Sequence, residues 1–151
     1  MTTTTSPAGT GNDGFTAAER AAIKARADEL RAAGKKGAKA ADGLEQVLDA
    51  IAKMDPEDRA IAERVHVTVT ENAPDLAPRT WYGMPAYADA DGKVVVFFKN
   101  AGKFNERYST LGFEGAAHLD DGEMWPTVHA LTAWTPEVAD RVAALVRKAV
   151  G

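Results

Sequence analysis

Apolar residues recur at helical spacing through the first half of the chain. After Asp42, large apolar side chains follow the i, i+3, i+4, i+7 rule. They are Leu44, Val47, Leu48, Ile51 and Met54. Asp42 is a suitable N-cap, and Glu45 lies three residues later, as in a capping box. The pattern predicts a helix that begins at Asp42 and buries one apolar face.

An earlier helix is predicted over residues 17–33, which are rich in Ala. Thr16 and Glu19 have the spacing of a capping box, and Gly34 is a natural end. Its large apolar residues, Ile23 and Leu30, form only a thin stripe, which predicts peripheral packing. Residues 35–41 are interpreted as a linker.

A third helix is predicted to begin at Asp55 and Pro56, because Asp is a good N-cap and Pro is favoured at the first helical position. Residues 65–70 also alternate with the period of a strand, but the start signal at Asp55 and Pro56 favours a helix. A last helix is predicted to follow Thr135 and Pro136.

Between these helices, the pattern changes to short apolar runs separated by turns. Strands are predicted at residues 81–82, from residue 87, at 94–98, at 104–113 and within 124–134. Helices followed by antiparallel strands and one more helix predict an α+β fold. We expect a two-layer sandwich, with about five strands packed on helices and one sheet face left open.

The chain divides into three predicted parts: a disordered tail at 1–14, a helix and linker at 15–41, and an α+β domain at 42–151. The tail is rich in Thr and Gly and nearly devoid of apolar residues. The chain contains no cysteine and begins with no recognisable signal peptide, so we expect a soluble, cytoplasmic protein.

Charge is distributed unevenly along the chain. The residues before Asp42 carry a net charge of +3 and the remainder carries −7. Because nucleic-acid binding needs Lys and Arg on the docking face, the acidic body argues against such a partner. No segment is long and apolar enough for a membrane partner.

Aromatic residues concentrate in the strand region. Trp81 and Tyr82 are adjacent, so in a strand they face opposite ways and at most one faces the helices. The other is expected on the open face, although a purely structural core is the alternative. The predicted walls of a ligand site there are Trp81, Tyr82, Met84, Tyr87, Tyr108 and Trp125, with Lys99, Glu106 and Arg107 as polar groups.

An acidic loop is the second candidate site. It holds His118, Asp120, Asp121 and Glu123 within six residues. Hard cations prefer clustered carboxylate oxygens, although a solvated acidic loop explains the pattern equally well. No HExxH, Gly-x-Ser-x-Gly or phosphate-loop motif is present, so we expect no enzymatic activity.

Several of these residues carry a resemblance to the YdhG-like domain family, over roughly residues 43–150. The matching pieces are Trp81 to Tyr87 with its Tyr-Gly-Met-Pro core, Gly92-Lys93, the strand 94–98, Phe104, Arg107 to Phe113, Leu119 to Gly122 and Met124-Trp125-Pro126. The resemblance implies a frataxin-like fold and an intracellular iron chaperone that binds iron through surface carboxylates. Besides the loop acids, it implies candidates on the third helix: Asp55, Glu57, Asp58 and Glu63.

Two functions are considered, and the first is preferred because of the family resemblance. One is a non-enzymatic, iron-chaperone-like protein whose partner is a metal ion. The other is a binding module for a small molecule on the open sheet face. In either case we expect a monomer or a weak homodimer formed through an exposed strand edge.

Overall fold

The computed structural model of the protein describes residues 14–151. In this part of the chain, five helices and a five-stranded sheet form an α+β fold, as predicted. The helices are α1 (Ala17–Ala32), α2 (Lys35–Ala52), α3 (Pro56–Asn72), α4 (Ala101–Phe104) and α5 (Pro136–Val150). The strands are β1 (Ala77–Trp81), β2 (Met84–Ala88), β3 (Val94–Lys99), β4 (Ser109–Phe113) and β5 (Val128–Leu131). Apart from Gly14, the predicted disordered tail lies outside the described residues.

The first helix begins with the predicted capping box. The Thr16 hydroxyl accepts from the Glu19 amide at 3.0 Å, and Glu19 accepts from the Thr16 amide at 2.8 Å. Among the residues of α1, only Ala27 is buried. The thin apolar stripe therefore gives peripheral packing, as predicted.

The predicted linker at residues 35–41 is wrong, because these residues are the first turns of α2. Ala33 and Gly34 make the whole connection between α1 and α2, and Gly34 has a φ of +99°. Gly37 lets the two helices approach closely, since a Cβ there would lie 1.9 Å from the Leu30 carbonyl oxygen. Asp42 is therefore an interior residue of α2 and not its N-cap, and the predicted boundary at residues 41/42 falls inside a helix.

The ambiguous run at residues 65–70 is helical, as the start signal at Asp55 and Pro56 predicts. Thr68 and Thr70 satisfy their hydroxyls by donating to carbonyl oxygens of the preceding turn, at 2.8 Å to Arg64 and 2.9 Å to His66. Local hydrogen bonds of this kind allow a β-branched run to remain helical.

The sheet is an antiparallel meander with strand order β1-β2-β3-β4-β5. Directly paired residues share a face, so the register assigns each strand residue to a side. The helix-facing side carries Tyr87, Val96, Phe98, Leu111 and Phe113, all buried in the main core. This side meets α2, α3 and α5 and holds most of the apolar burial.

The predicted strand at residues 104–113 is shorter than expected. Phe104 is the last residue of α4, Asn105 follows it in the left-handed conformation, and β4 begins only at Ser109. The Ser109 hydroxyl accepts from the Ala101 amide at 3.0 Å and holds α4 against the sheet. The last strand and the Thr135 cap of α5 are confirmed.

Among the helices of residues 14–151, none has the length and apolar content that crossing a bilayer requires.

Candidate functional site

The two aromatic residues that begin the Tyr-Gly-Met-Pro region occupy different kinds of backbone. Trp81 ends β1, pairs with Met84 and lies on the sheet face away from the helices. Tyr82 and Gly83 form the two-residue turn between them, both with positive φ, of +52° and +77°. This is the geometry of a type I′ hairpin turn. Tyr82 is therefore not in a strand, and its side chain is 79% exposed.

The open face is filled at its centre by aromatic rings. The Trp81 and Phe97 rings lie 5.3 Å apart edge to face, one from β1 and the other from β3. They meet above β2 and cover Ala86, which is fully buried. The Phe97 ring also lies across Gly112, where a Cβ would come within 2.2 Å of it. The rings thus pack on one another and on the sheet.

Two residues that were predicted to line the ligand site on the open face, Tyr87 and Trp125, pack against the main core instead. Tyr87 pairs with Pro78 and Val96 and therefore lies on the helix-facing side of the sheet, opposite to Trp81 and Phe97. Trp125 is partly buried and packs against the main core.

The remaining predicted ligand residues form separate pairs near α4. The Lys99 ammonium lies 3.4 Å from the Glu106 carboxylate and 5.2 Å from the Phe104 ring centre. The Arg107 guanidinium lies 5.0 Å from the Tyr108 ring centre. These contacts satisfy the charged groups locally and do not extend the Trp81 cluster.

The acidic loop is exposed at each of its predicted metal ligands: His118, Asp120, Asp121 and Glu123. The His118 amide donates to the Ala149 carbonyl at 2.8 Å, which ties the loop to the end of α5. Within residues 14–151, no three His, Cys, Asp or Glu side chains are grouped so that they could hold a metal ion. Iron binding here stays a prediction.

Acids of the third helix hold neighbouring backbone instead. The Asp58 carboxylate accepts from the Gly102 amide at 2.8 Å and from the Asn100 side chain at 3.2 Å. Glu63 accepts from the Phe15 amide at 3.2 Å. These contacts attach α4 and the start of α1 to α3.

A different site lies between α1, α2, the end of α3 and β1. It is a cavity of about 480 Å³ whose walls are mostly apolar. Its apolar walls include Ala22, Ile23, Leu30, Ala40, Leu44, Pro74, Leu76, Ala77 and Pro78, and its polar walls are Arg26, His66, Thr70, Glu71 and Asp75. None of the predicted ligand residues lines it.

His66 is the buried polar group of this cavity. Its Nδ1 lies 2.8 Å from the Tyr87 hydroxyl, and both side chains are only 1% exposed. Burial lowers the pKa of His66 to about 4 and raises the pKa of Tyr87, since low-polarity surroundings disfavour the charged forms. Both groups are therefore neutral at physiological pH.

The helix α1 forms one wall of this site and is held at both ends, by an Arg31–Glu45 ion pair with α2 at its end and by two contacts at its start. The Phe15 ring contacts the His66 ring edge to face at 6.0 Å. The Arg64 guanidinium lies 2.5 Å from the Glu19 carboxylate, both largely buried. The sequence contained a signal for this site: His66 follows Ala62 by four residues and precedes Val69 by three, so it belongs to the apolar stripe of α3.

Comparison of the chain with protein-family models, curated proteins and solved structures found no match.

Proposed function

We propose that this protein is a non-enzymatic binding protein for a small, mainly apolar molecule, held in the cavity between α1, α2, α3 and β1. The observation that carries the proposal is the cavity of about 480 Å³ with the His66–Tyr87 pair at its wall. Small-molecule sites are typically concave, apolar and a few hundred Å³ in volume, with few placed polar groups.

The buried polar pair supports binding more than stability. A buried imidazole carries a desolvation cost that an apolar side chain would avoid, and hydrogen bonding offsets only part of it. Ionisable groups with strongly shifted pKa values concentrate at functional sites. The His66 pKa of about 4 places it in that group.

Entry to the cavity has a physical route through α1. Ala27 is the one buried residue of α1, so this helix buries little of its own apolar surface. Elements with few buried contacts open at low free-energy cost. The Glu19–Arg64 ion pair and the Phe15–His66 contact hold the start of α1, and the Arg31–Glu45 ion pair holds its end.

A matched pair of cavity variants tests the proposal. Ala40 and Ala50 are both half-buried on α2, but only Ala40 lines the cavity. The probe is Prodan, a neutral naphthyl ketone whose fluorescence rises and shifts to the blue in apolar surroundings. We expect saturable binding to the wild type and Ala50→Phe, and at least roughly ten-fold weaker binding to Ala40→Phe, since the added ring fills the cavity.

Circular dichroism establishes that both variants are folded. The absence of saturable Prodan binding to the wild type, or equal binding to Ala40→Phe and Ala50→Phe, would refute the proposal. The iron-chaperone role implied by the family resemblance is a separate hypothesis. It predicts that Fe²⁺ raises the Tm of the wild type and not of an Asp120→Asn, Asp121→Asn variant.

A further inference from the structure

The hydrogen bond between Tyr87 and His66 has a defined direction. The Tyr87 hydroxyl is fully buried, and within residues 14–151 it has one hydrogen-bond partner, His66 Nδ1 at 2.8 Å. A buried O–H group needs an acceptor. If Nδ1 carried the proton, the hydroxyl hydrogen would have none. Tyr87 therefore donates, Nδ1 accepts, and the neutral imidazole of His66 carries its proton on Nε2.

The Nε2–H group of His66 has no hydrogen-bond partner within residues 14–151. The buried side-chain nitrogens without a partner there are Arg64 Nε and His129 Nε2. His66 Nε2 is not among these fully enclosed atoms, and His66 forms part of the cavity wall. Nε2–H is thus a fixed, uncharged donor available to a molecule in the cavity.

Resting on the proposed function, we propose that the cavity selects uncharged apolar molecules that carry a hydrogen-bond acceptor such as a carbonyl oxygen. His66 Nε2–H is the group that receives this oxygen. Tyr87 is a positioning residue, because it acts only by holding the imidazole in the Nε2–H form.

Charge at the cavity disfavours anions. Glu71 and Asp75 lie in its wall and are exposed, and neither makes an ion pair within residues 14–151. The one cation of the wall, Arg26, pairs with Glu29 at 3.1 Å. A carboxylate would meet a neutral imidazole and two like charges, which leaves its desolvation uncompensated.

Three matched probes test the selectivity: Prodan, its analogue with a propyl group in place of the ketone, and 6-dimethylamino-2-naphthoate. In the wild type, we expect Prodan to bind roughly five-fold more tightly than the propyl analogue, about the effect of one net hydrogen bond. The naphthoate should bind at least roughly ten-fold more weakly than Prodan. His66→Phe should remove the preference for the ketone, and His66→Gln, which keeps an N–H donor, should restore part of it.

The tautomer is measured directly from the ¹⁵N shifts of the His66 ring. We expect an Nε2–H imidazole in the wild type and a shift toward mixed tautomers in Tyr87→Phe, with the ketone preference reduced. An Nδ1–H imidazole in the wild type, equal affinity for Prodan and the propyl analogue, or tighter binding of the naphthoate would overturn this inference. Equal affinity with Ala40→Phe still impaired would leave cavity binding intact, whereas the absence of any binding would refute both.

Discussion

Where α3 and α5 cover β3 and β4, the side chains between the two layers are almost completely buried. Examples are Phe98 and Leu111 of the sheet and Val146 of α5. Over β1, the layer formed by α1 and α2 instead leaves a cavity of about 480 Å³. The first region centres on apolar side chains, and the second has a neutral His–Tyr pair at its wall. This contrast supports the proposed function, because close packing at one end of the sheet accompanies a cavity at the other.

The largest expected difference between the two regions is in the cost of truncating a leucine. Leu111 is 0% exposed in β4, whereas Leu30 is half-buried in α1 beside the cavity. We expect Leu111→Ala to lower the free energy of unfolding by about 2–5 kcal/mol, because it leaves a void in close packing. Leu30→Ala should cost about 1 kcal/mol or less. Urea denaturation measures both, and comparable losses would contradict the contrast.

The sequence predicted the tightly packed region well, because it is specified by periodicity. The i, i+3, i+4 spacing in α2 and α5 and the apolar run at 94–98 depend only on local pattern. The cavity depends on how α1 packs on α2, where the two helices approach closely at Gly37, and the apolar pattern does not reveal this approach. The linker prediction at residues 35–41 is also wrong, because the Ala and Lys residues there are compatible with either a linker or a helix.

The positions of Trp81, Tyr82 and Tyr87 could be predicted only in part from the local sequence. Trp81 does lie on the open face, but the premise of the prediction, that Trp81 and Tyr82 both belong to a strand, is wrong. It fails for Tyr82 because the Trp81–Met84 pair closes a two-residue turn, so the strand ends one residue earlier than assumed. The pairing of Tyr87 with a histidine 21 residues away requires the tertiary structure.

A pH titration of stability distinguishes the buried imidazole from an exposed one. The pKa of His66 is about 4 in the folded protein and near 6.5 when unfolded, so protons bind preferentially to the unfolded state. Its contribution is therefore fully present above pH 6.5 and is lost as pH falls toward 4, by about 3 kcal/mol. In His66→Gln this loss should largely disappear when unfolding is followed at successive pH values.

A smaller part of that slope belongs to His129, whose pKa is lowered by burial and by the Arg141 charge. His129→Gln is therefore the matched control, and it should retain most of the wild-type slope. A larger change in His129→Gln than in His66→Gln would contradict the assignment of the deeply buried group to the cavity.

The ion pair at the start of α1 is expected to have an intermediate effect. Burial raises the pKa of Glu19, but hydrogen bonds from the Thr16 amide and Arg64, with the Arg64 charge, lower it overall. A depressed pKa contributes stability above the usual value of 4.5 that is lost as pH falls below it. Glu19→Gln keeps the capping geometry and should cost about 1 kcal/mol, with faster hydrogen exchange confined to α1.

Glu29→Gln provides the control for that variant, since Glu29 pairs with Arg26 of the same helix and both side chains are exposed. We expect a change within about 0.5 kcal/mol. If both variants accelerate exchange in α1 equally, the Glu19–Arg64 pair is not what holds the helix closed.

The smallest predicted effect concerns the open face. Tyr82 has φ of +52° in the hairpin turn, a conformation that Asn adopts more readily. Tyr82→Asn should raise the free energy of unfolding by about 0.5 kcal/mol and leave Prodan affinity unchanged. A loss of Prodan affinity would move the binding site from the cavity to the aromatic rings.

Amide chemical-shift mapping of bound Prodan by NMR tests the location of the site most directly. We expect the largest shift changes at Leu30, Thr70 and Leu76, which line the cavity, and only small changes at Trp81 and Phe97. Changes centred on Trp81 and Phe97, with none around Thr70, would contradict this expectation.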